Sequence, residues 1–138
     1  MKNEIFVDTS GWLCFLDRTQ PQHPNAKQVF ARHLKERGVL VLTSDIFNEL
    51  LALLSTRTRI ARPQILSAII QLRAMPTLEI VHVTAALHDR AFALLQARPD
   101  KNWSWTDAAS FLLMRERGIN VALTTDHHFE QAGFQRLL

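Results

Sequence analysis

Four acidic residues stand where carboxylates could do chemistry: Asp8 in Val7-Asp8-Thr9-Ser10-Gly11, Glu49 in Asn48-Glu49-Leu50-Leu51, Asp107 in Ser104-Trp105-Thr106-Asp107, and Asp126 in Leu123-Thr124-Thr125-Asp126. Asp8 directly follows a short apolar run, and Asp126 follows another after two threonines. At roughly 100° per residue, Asp107 falls between Phe111 and Met114 on an otherwise apolar helical stripe. A carboxylate turned inward needs a partner, because burying its charge alone is costly. Magnesium or manganese would serve, since such hard cations take oxygen ligands and are commonly shared between carboxylates and substrate phosphates. A cation so held acidifies and orients water and neutralises charge on the departing oxygen of a phosphodiester, so no histidine or serine nucleophile is required.

Each acid also has a purely structural reading. Asp8 and Asp126 are possible caps of the helices that follow them. Ser104 and Asp107 have the spacing of a capping box, and Glu49 borders the apolar arc of Ile46, Leu50, Leu53 and Leu54 as a rim residue would. The case for chemistry is that all four would gather near one sheet edge.

The elements that must position them follow from short apolar runs alternating with helical stretches. Ile5–Val7, Val39–Leu42, Ile80–Val83 and Val121–Leu123 read as strands, with Phe134–Leu138 as a last short one. Helical patterns cover 24–37, 45–57, 63–73, 85–96 and 105–117. Pro24 and Pro63 stand where helices begin, and Gly38 and Gly118 where they end. Continuous apolar runs suit strands buried on both faces of a parallel sheet. The alternation implies a right-handed, doubly wound α/β layer structure. In such folds ligands bind outside the carboxyl ends of the strands, which is where Asp8 and Asp126 emerge and which Glu49 would overhang.

The chain of 138 residues, 47% of them apolar, suits a single folded domain over 1–138. The single cysteine, Cys14, excludes an intramolecular disulfide and a cysteine-built zinc site; its apolar surroundings predict a buried, inert thiol. No apolar run approaches the roughly 20 residues that span a bilayer. Met1-Lys2-Asn3-Glu4-Ile5 lacks the apolar core of a secretory signal, so a cytoplasmic protein without a membrane partner is expected. The formal charge is +3. Arg57, Arg59 and Arg62, and Arg98 with Lys101, read either as solvated faces or as contacts to RNA phosphates. His127-His128 beside Asp126 reads as a loop or helix start rather than a transition-metal site. Asp45 and Asp100 suit cap and loop roles. Trp103 and Trp105 are candidates for stacking on bases, with core packing the alternative, above all for Trp105.

Rival chemistries fit less well. An aspartyl phosphatase of the haloacid dehalogenase class would carry a second Asp two residues after Asp8, where this chain has Ser10. A phospho-receiver would carry a late lysine, and none follows Lys101. A dinucleotide fold needs a glycine-rich turn after the first strand, and only Gly11 is near.

The stretches Phe6-Val7-Asp8-Thr9-Ser10, Asn48-Glu49-Leu50-Leu51, Ser104-Trp105-Thr106-Asp107-Ala108-Ala109 and Thr124-Thr125-Asp126-His127-His128-Phe129 with Gly133-Phe134, in that order, resemble PIN-domain proteins. They are similar to the toxin ribonucleases of bacterial toxin–antitoxin pairs, over nearly the whole chain. The resemblance implies a three-layer α/β/α sandwich around a mostly parallel sheet, metal-dependent RNA cleavage, homodimers and an antitoxin partner. It places Asp8, Glu49, Asp107 and Asp126 as the metal-binding, catalytic acids, with Ser10 and Thr124 as small hydroxyls beside them. The non-enzymatic alternative is an RNA- or partner-binding module of the same fold that has lost cleavage, against which the intact quartet argues.

Overall fold

The computed structural model describes residues 3–138; Met1 and Lys2, part of the N-terminal segment read above, lie outside them. The chain runs β1 (Glu4–Val7), α1 (Thr9–Leu16), α2 (His23–Lys35), β2 (Val39–Thr43), α3 (Ser44–Arg57), α4 (Arg62–Ala74), β3 (Leu78–Val81), α5 (Ala85–Ala97), α6 (Trp105–Arg117), β4 (Val121–Leu123), α7 (His128–Gln131) and β5 (Gln135–Arg136). The strands form one sheet in the order β3-β2-β1-β4-β5, parallel throughout. Right-handed crossovers then put α1–α4 on one face and α5–α7 on the other. The packing agrees: α1 lies on α2 and α3, α3 on α4, and α6 on both α5 and α7. This is the expected three-layer α/β/α sandwich.

The core follows from the same layering. Phe6, Val7, Leu40, Val41, Leu42, Ala122 and Leu123 of the central strands are buried, since parallel strands between helical layers have no wet face. Winding reverses between β1 and β4: the chain leaves β1 toward β2 and reaches β4 on β1's other side. A crevice therefore opens at the carboxyl ends of β1 and β4.

Some expectations need correction. The third strand lies at Leu78–Val81, not Ile80–Val83, because Leu40–Thr43 of β2 pairs with that segment and the Val83 N–H leaves the ladder for Ser44 Oγ at 3.0 Å. The last strand contracts to Gln135–Arg136, with Phe134 turned into the core. The helix expected to run to Arg37 ends at Lys35; Arg37 takes the left-handed conformation (φ 59°) instead of Gly38. Gly38 is required for another reason: a Cβ there would collide with the His33 ring, whose Nε2 sits 2.9 Å from the Val39 carbonyl oxygen. Gly118 does adopt the left-handed cap at the end of α6 (φ 69°).

Helix α1 had no counterpart among the helical patterns. Its sequence, Thr-Ser-Gly-Trp-Leu-Cys-Phe-Leu, is apolar almost all round and so lacks a 3.6-residue stripe. Trp12 is wholly buried with its ring edge-on to Phe30, and Phe15 stacks on Phe30 at 4.0 Å. Gly11 lets this helix approach the sheet. A Cβ on it would collide with the Leu123 carbonyl oxygen and come within 2.9 Å of that carbonyl's carbon. Backbone cannot yield as a flexible side chain can, so Gly11→Ala is expected to destabilise the fold by about 1–3 kcal/mol or more. Denaturant unfolding checks this, and an unchanged midpoint would mean that α1 sits less tightly on β4.

Candidate active site

The first turn of α1 and the end of β4 build the centre of the site together. Asp8 caps α1, its Oδ1 accepting from the Gly11 N–H (3.0 Å). Ser10 Oγ donates to the same oxygen (2.8 Å), and Thr124 Oγ1 donates to Oδ2 (2.8 Å). Both hydroxyls also accept a backbone N–H from the loop after β4, Ser10 from Thr125 (3.0 Å) and Thr124 from Asp126 (2.9 Å). Ser10 and Thr124, expected only as small neighbours, are thus a double clamp that sets Asp126 relative to Asp8. Arg136 of β5 steadies that loop by donating to the Thr125 carbonyl oxygen (2.7 Å).

Around this clamp the structure brings together Asp8, Glu49, Asp107 and Asp126, all lining one cleft of about 340 Å³. Glu49, on the exposed side of α3, accepts from Thr9 Oγ1 at 2.9 Å. Asp107 and Ser104 form the capping box read in the sequence, each side chain bonded to the other's backbone N–H at 3.0 Å. Asp107 also opens on the cleft, so its two readings are compatible.

Burial is the chief cause of a raised pKa at Asp8, pushed up to about 6. The Asp126 charge adds to it, and the bonds from Gly11, Ser10 and Thr124 offset it only in part.

His128, read from the sequence only as a loop or helix start, also lines the acidic cleft. It begins the four-residue α7, as a helix-start reading expects, but its ring lies between two of the acids. Nδ1 is 3.2 Å from Asp107 Oδ2 and 3.4 Å from Asp126 Oδ1, while its backbone N–H donates to Asp126 Oδ1 at 2.9 Å. Ligand atoms of Asp126, His127 and His128 lie within 4.8 Å of one another. His127 is the outlying member, with a side chain 67% exposed. Asn102, Thr9 and Thr106 also line the cleft; polar residues beside an acid carry no pattern that would have singled them out.

Other candidates lie elsewhere. Arg57, Arg59, Arg62, Arg98 and Lys101 do not line this cleft. Arg98 forms two 3.0 Å hydrogen bonds with Asp100, which confirms a loop role for that acid. Arg62 donates to Ser55 Oγ (2.7 Å), and Thr43 rather than Asp45 caps α3. The tryptophans reverse expectation: Trp103 is buried and donates to Gln131 Oε1 (3.0 Å), while Trp105 is 38% exposed and stacks on His88 at 4.0 Å. Cys14 is buried, and burial first, then the Asp8 and Asp17 charges, pushes its thiol pKa up. No helix among the described residues is long and apolar enough to cross a membrane.

The donor set suits a hard cation. Four carboxylates and several hydroxyls line the cleft with no lysine or arginine among them, so an anionic substrate could enter only with a counter-charge. Oxygen donors favour magnesium or manganese over softer metals.

No protein-family model matches the chain. It is 33% identical over 130 residues to the 23S rRNA-specific endonuclease VapC20 of two Mycobacterium tuberculosis strains, covering 94% of this chain and 95% of the relative. The crystal structure of M. tuberculosis VapC20, described as a Sarcin-Ricin loop cleaving toxin, superposes with a TM-score of 0.82 at 30% identity, covering 94% of this chain and 95% of that one. The order of motifs, the all-parallel sandwich and this full-length likeness together show that the chain belongs to the VapC family of PIN-domain toxins and is an endoribonuclease.

Proposed function

We propose that residues 1–138 form a single nuclease domain that cleaves cytoplasmic RNA with magnesium or manganese held by Asp8, Glu49, Asp107 and Asp126. One observation carries this reading: acids from four distant chain segments line a single cleft at the sheet's topological switch point. The likeness to a 23S rRNA-specific endonuclease supports ribosomal RNA as the substrate. Membership of a toxin family supports a cognate antitoxin, and the family resemblance supports a homodimer.

The chain's own part is positional. Ser10, Thr124 and the Gly11 N–H fix both oxygens of Asp8. Thr9 orients Glu49 from the same helical turn. His128 spaces Asp107 from Asp126, limiting the approach of two like charges. When bound, the cation supplies Lewis acidity toward the scissile phosphate and lowers the pKa of attacking water.

The test is chelation. Cleavage of single-stranded RNA is expected to stop in EDTA and return with magnesium or manganese. Cleavage that survives exhaustive chelation would reject the reading, and zinc restoring it best would move the centre to Asp126, His127 and His128.

A further inference from the structure

A second cleft, of about 810 Å³, opens where the turn after α1 meets the α3–α4 connection, and Arg18, Arg57 and Arg59 all line it. All three are exposed, and none has a hydrogen bond or an acidic partner among the described residues. Arg90, Arg98, Arg117 and Arg136 are by contrast each paired with a carboxylate. The one acid in this cleft, Asp17, is already engaged. It accepts from the Thr19 N–H and hydroxyl on Oδ1 and from Gln20 Nε2 on Oδ2. Three unopposed guanidiniums against one saturated carboxylate leave a net positive cleft in which the arginines are the donors free for a phosphate backbone, since Thr19 and Gln20 already donate to Asp17 and Thr58 to the Leu54 carbonyl oxygen.

The two clefts share a helix. Glu49 and Leu53 line the acidic one and Arg57 lines the basic one. At spacing i, i+4, i+8 these side chains share one face of α3, and Glu49 and Arg57 are about 12 Å apart along its axis. We propose that this basic cleft is a substrate subsite: it holds backbone phosphates of the RNA strand a few nucleotides from the bond being cut, with the strand running along the Glu49–Leu53–Arg57 face. The proposal rests on the ribonuclease reading above. It explains how a substrate repelled by four carboxylates is held at all, and it selects Arg57 and Arg59 from the sequence clusters, adds Arg18, and leaves out Arg62 and Arg98.

The experiment uses the full chain and single-stranded RNA oligonucleotides of increasing length. Cleavage is measured across a salt series with magnesium for the wild type, for Arg18→Gln, Arg57→Gln and Arg59→Gln, and for the triple variant. Arg73→Gln, at the far end of α4 and outside the basic cleft, is the control. Each lost phosphate contact should shallow the log–log salt slope by roughly 0.7. The triple variant should raise KM for long oligonucleotides by about tenfold or more, with kcat retained and the shortest substrates unaffected. The fold is monitored by thermal unfolding, which these exposed residues should not move. If the wild type cleaves but the triple variant keeps its slope and KM, the subsite is overturned while the nuclease reading stands. Variants that cleave normally but escape inhibition by an acidic protein partner would overturn the subsite equally. A wild type that cleaves no RNA with any divalent metal would overturn both.

Discussion

Asp8→Asn is expected to abolish RNA cleavage while making the metal-free protein more stable at neutral pH. Asp8 is buried, and its pKa is pushed up to about 6 from 3.8 by burial first and by the Asp126 charge. Between those two values the folded protein holds a proton that the unfolded chain has lost. The group's contribution to stability is therefore greatest below about pH 4, declines as pH rises through 6, and is fully unfavourable above it. A rise of roughly two units corresponds to a penalty on the order of 3 kcal/mol. Asparagine removes the charge and keeps an oxygen for both the Gly11 N–H and the Ser10 hydroxyl, while the Thr124 hydroxyl can turn to accept from its amide. The wild type should therefore lose stability relative to the variant between pH 4 and pH 7 in EDTA, with the variant's Tm higher by roughly 5 °C or more at neutral pH. Cleavage should fall by several orders of magnitude, since a neutral amide holds a divalent cation poorly. A variant whose Tm tracks the wild type at every pH would show that Asp8 is not the titrating group. One that still cleaves well would remove Asp8 from the reaction.

These opposed effects on stability and activity bear on what the sequence could reveal. Asp8 and Asp126 were legible because each follows an apolar run, and the carboxyl edge of a parallel sheet is where such runs deliver their next residue. Ser10 and Thr124 were legible by resemblance, but their clamp was not. It depends on how closely α1 approaches β4, and that is decided by Gly11 against the Leu123 carbonyl. His128 was placed correctly at a helix start, yet its contact with Asp107 spans 21 positions and leaves no local pattern. Helix α1 was hidden because its nearly all-apolar sequence shows no 3.6-residue stripe. The arginine clusters of the sequence are divided in the fold, because neighbours in sequence need not share a surface. Arg62 opens α4 and bonds to Ser55, Arg98 is neutralised by Asp100, and Arg18, 39 residues before Arg57 and 41 before Arg59, joins them only in the folded chain.

Asp107 allows architecture to be separated from chemistry, because it completes a helix cap and also lines the acidic cleft. Its Oδ2 accepts the Ser104 N–H, completing the capping box, and faces His128 Nδ1 at 3.2 Å. Ser104→Ala removes the cap hydroxyl without touching the acid. It should destabilise the protein by about 1 kcal/mol, with magnesium-dependent cleavage retained. Asp107→Asn does the reverse: the amide oxygen can still accept the Ser104 N–H, and one charge leaves a crowded acidic cleft, which relieves repulsion. The metal-free Asn variant should therefore match or exceed the wild type in thermal stability while cleavage falls by orders of magnitude. A structural acid gives the opposite pattern, in which both variants lose a similar fraction of stability and both still cleave. Thermal unfolding in EDTA beside cleavage of single-stranded RNA with magnesium distinguishes the two patterns. A less stable Asn variant that remains active would take Asp107 out of the catalytic set and leave three acids to hold the cation.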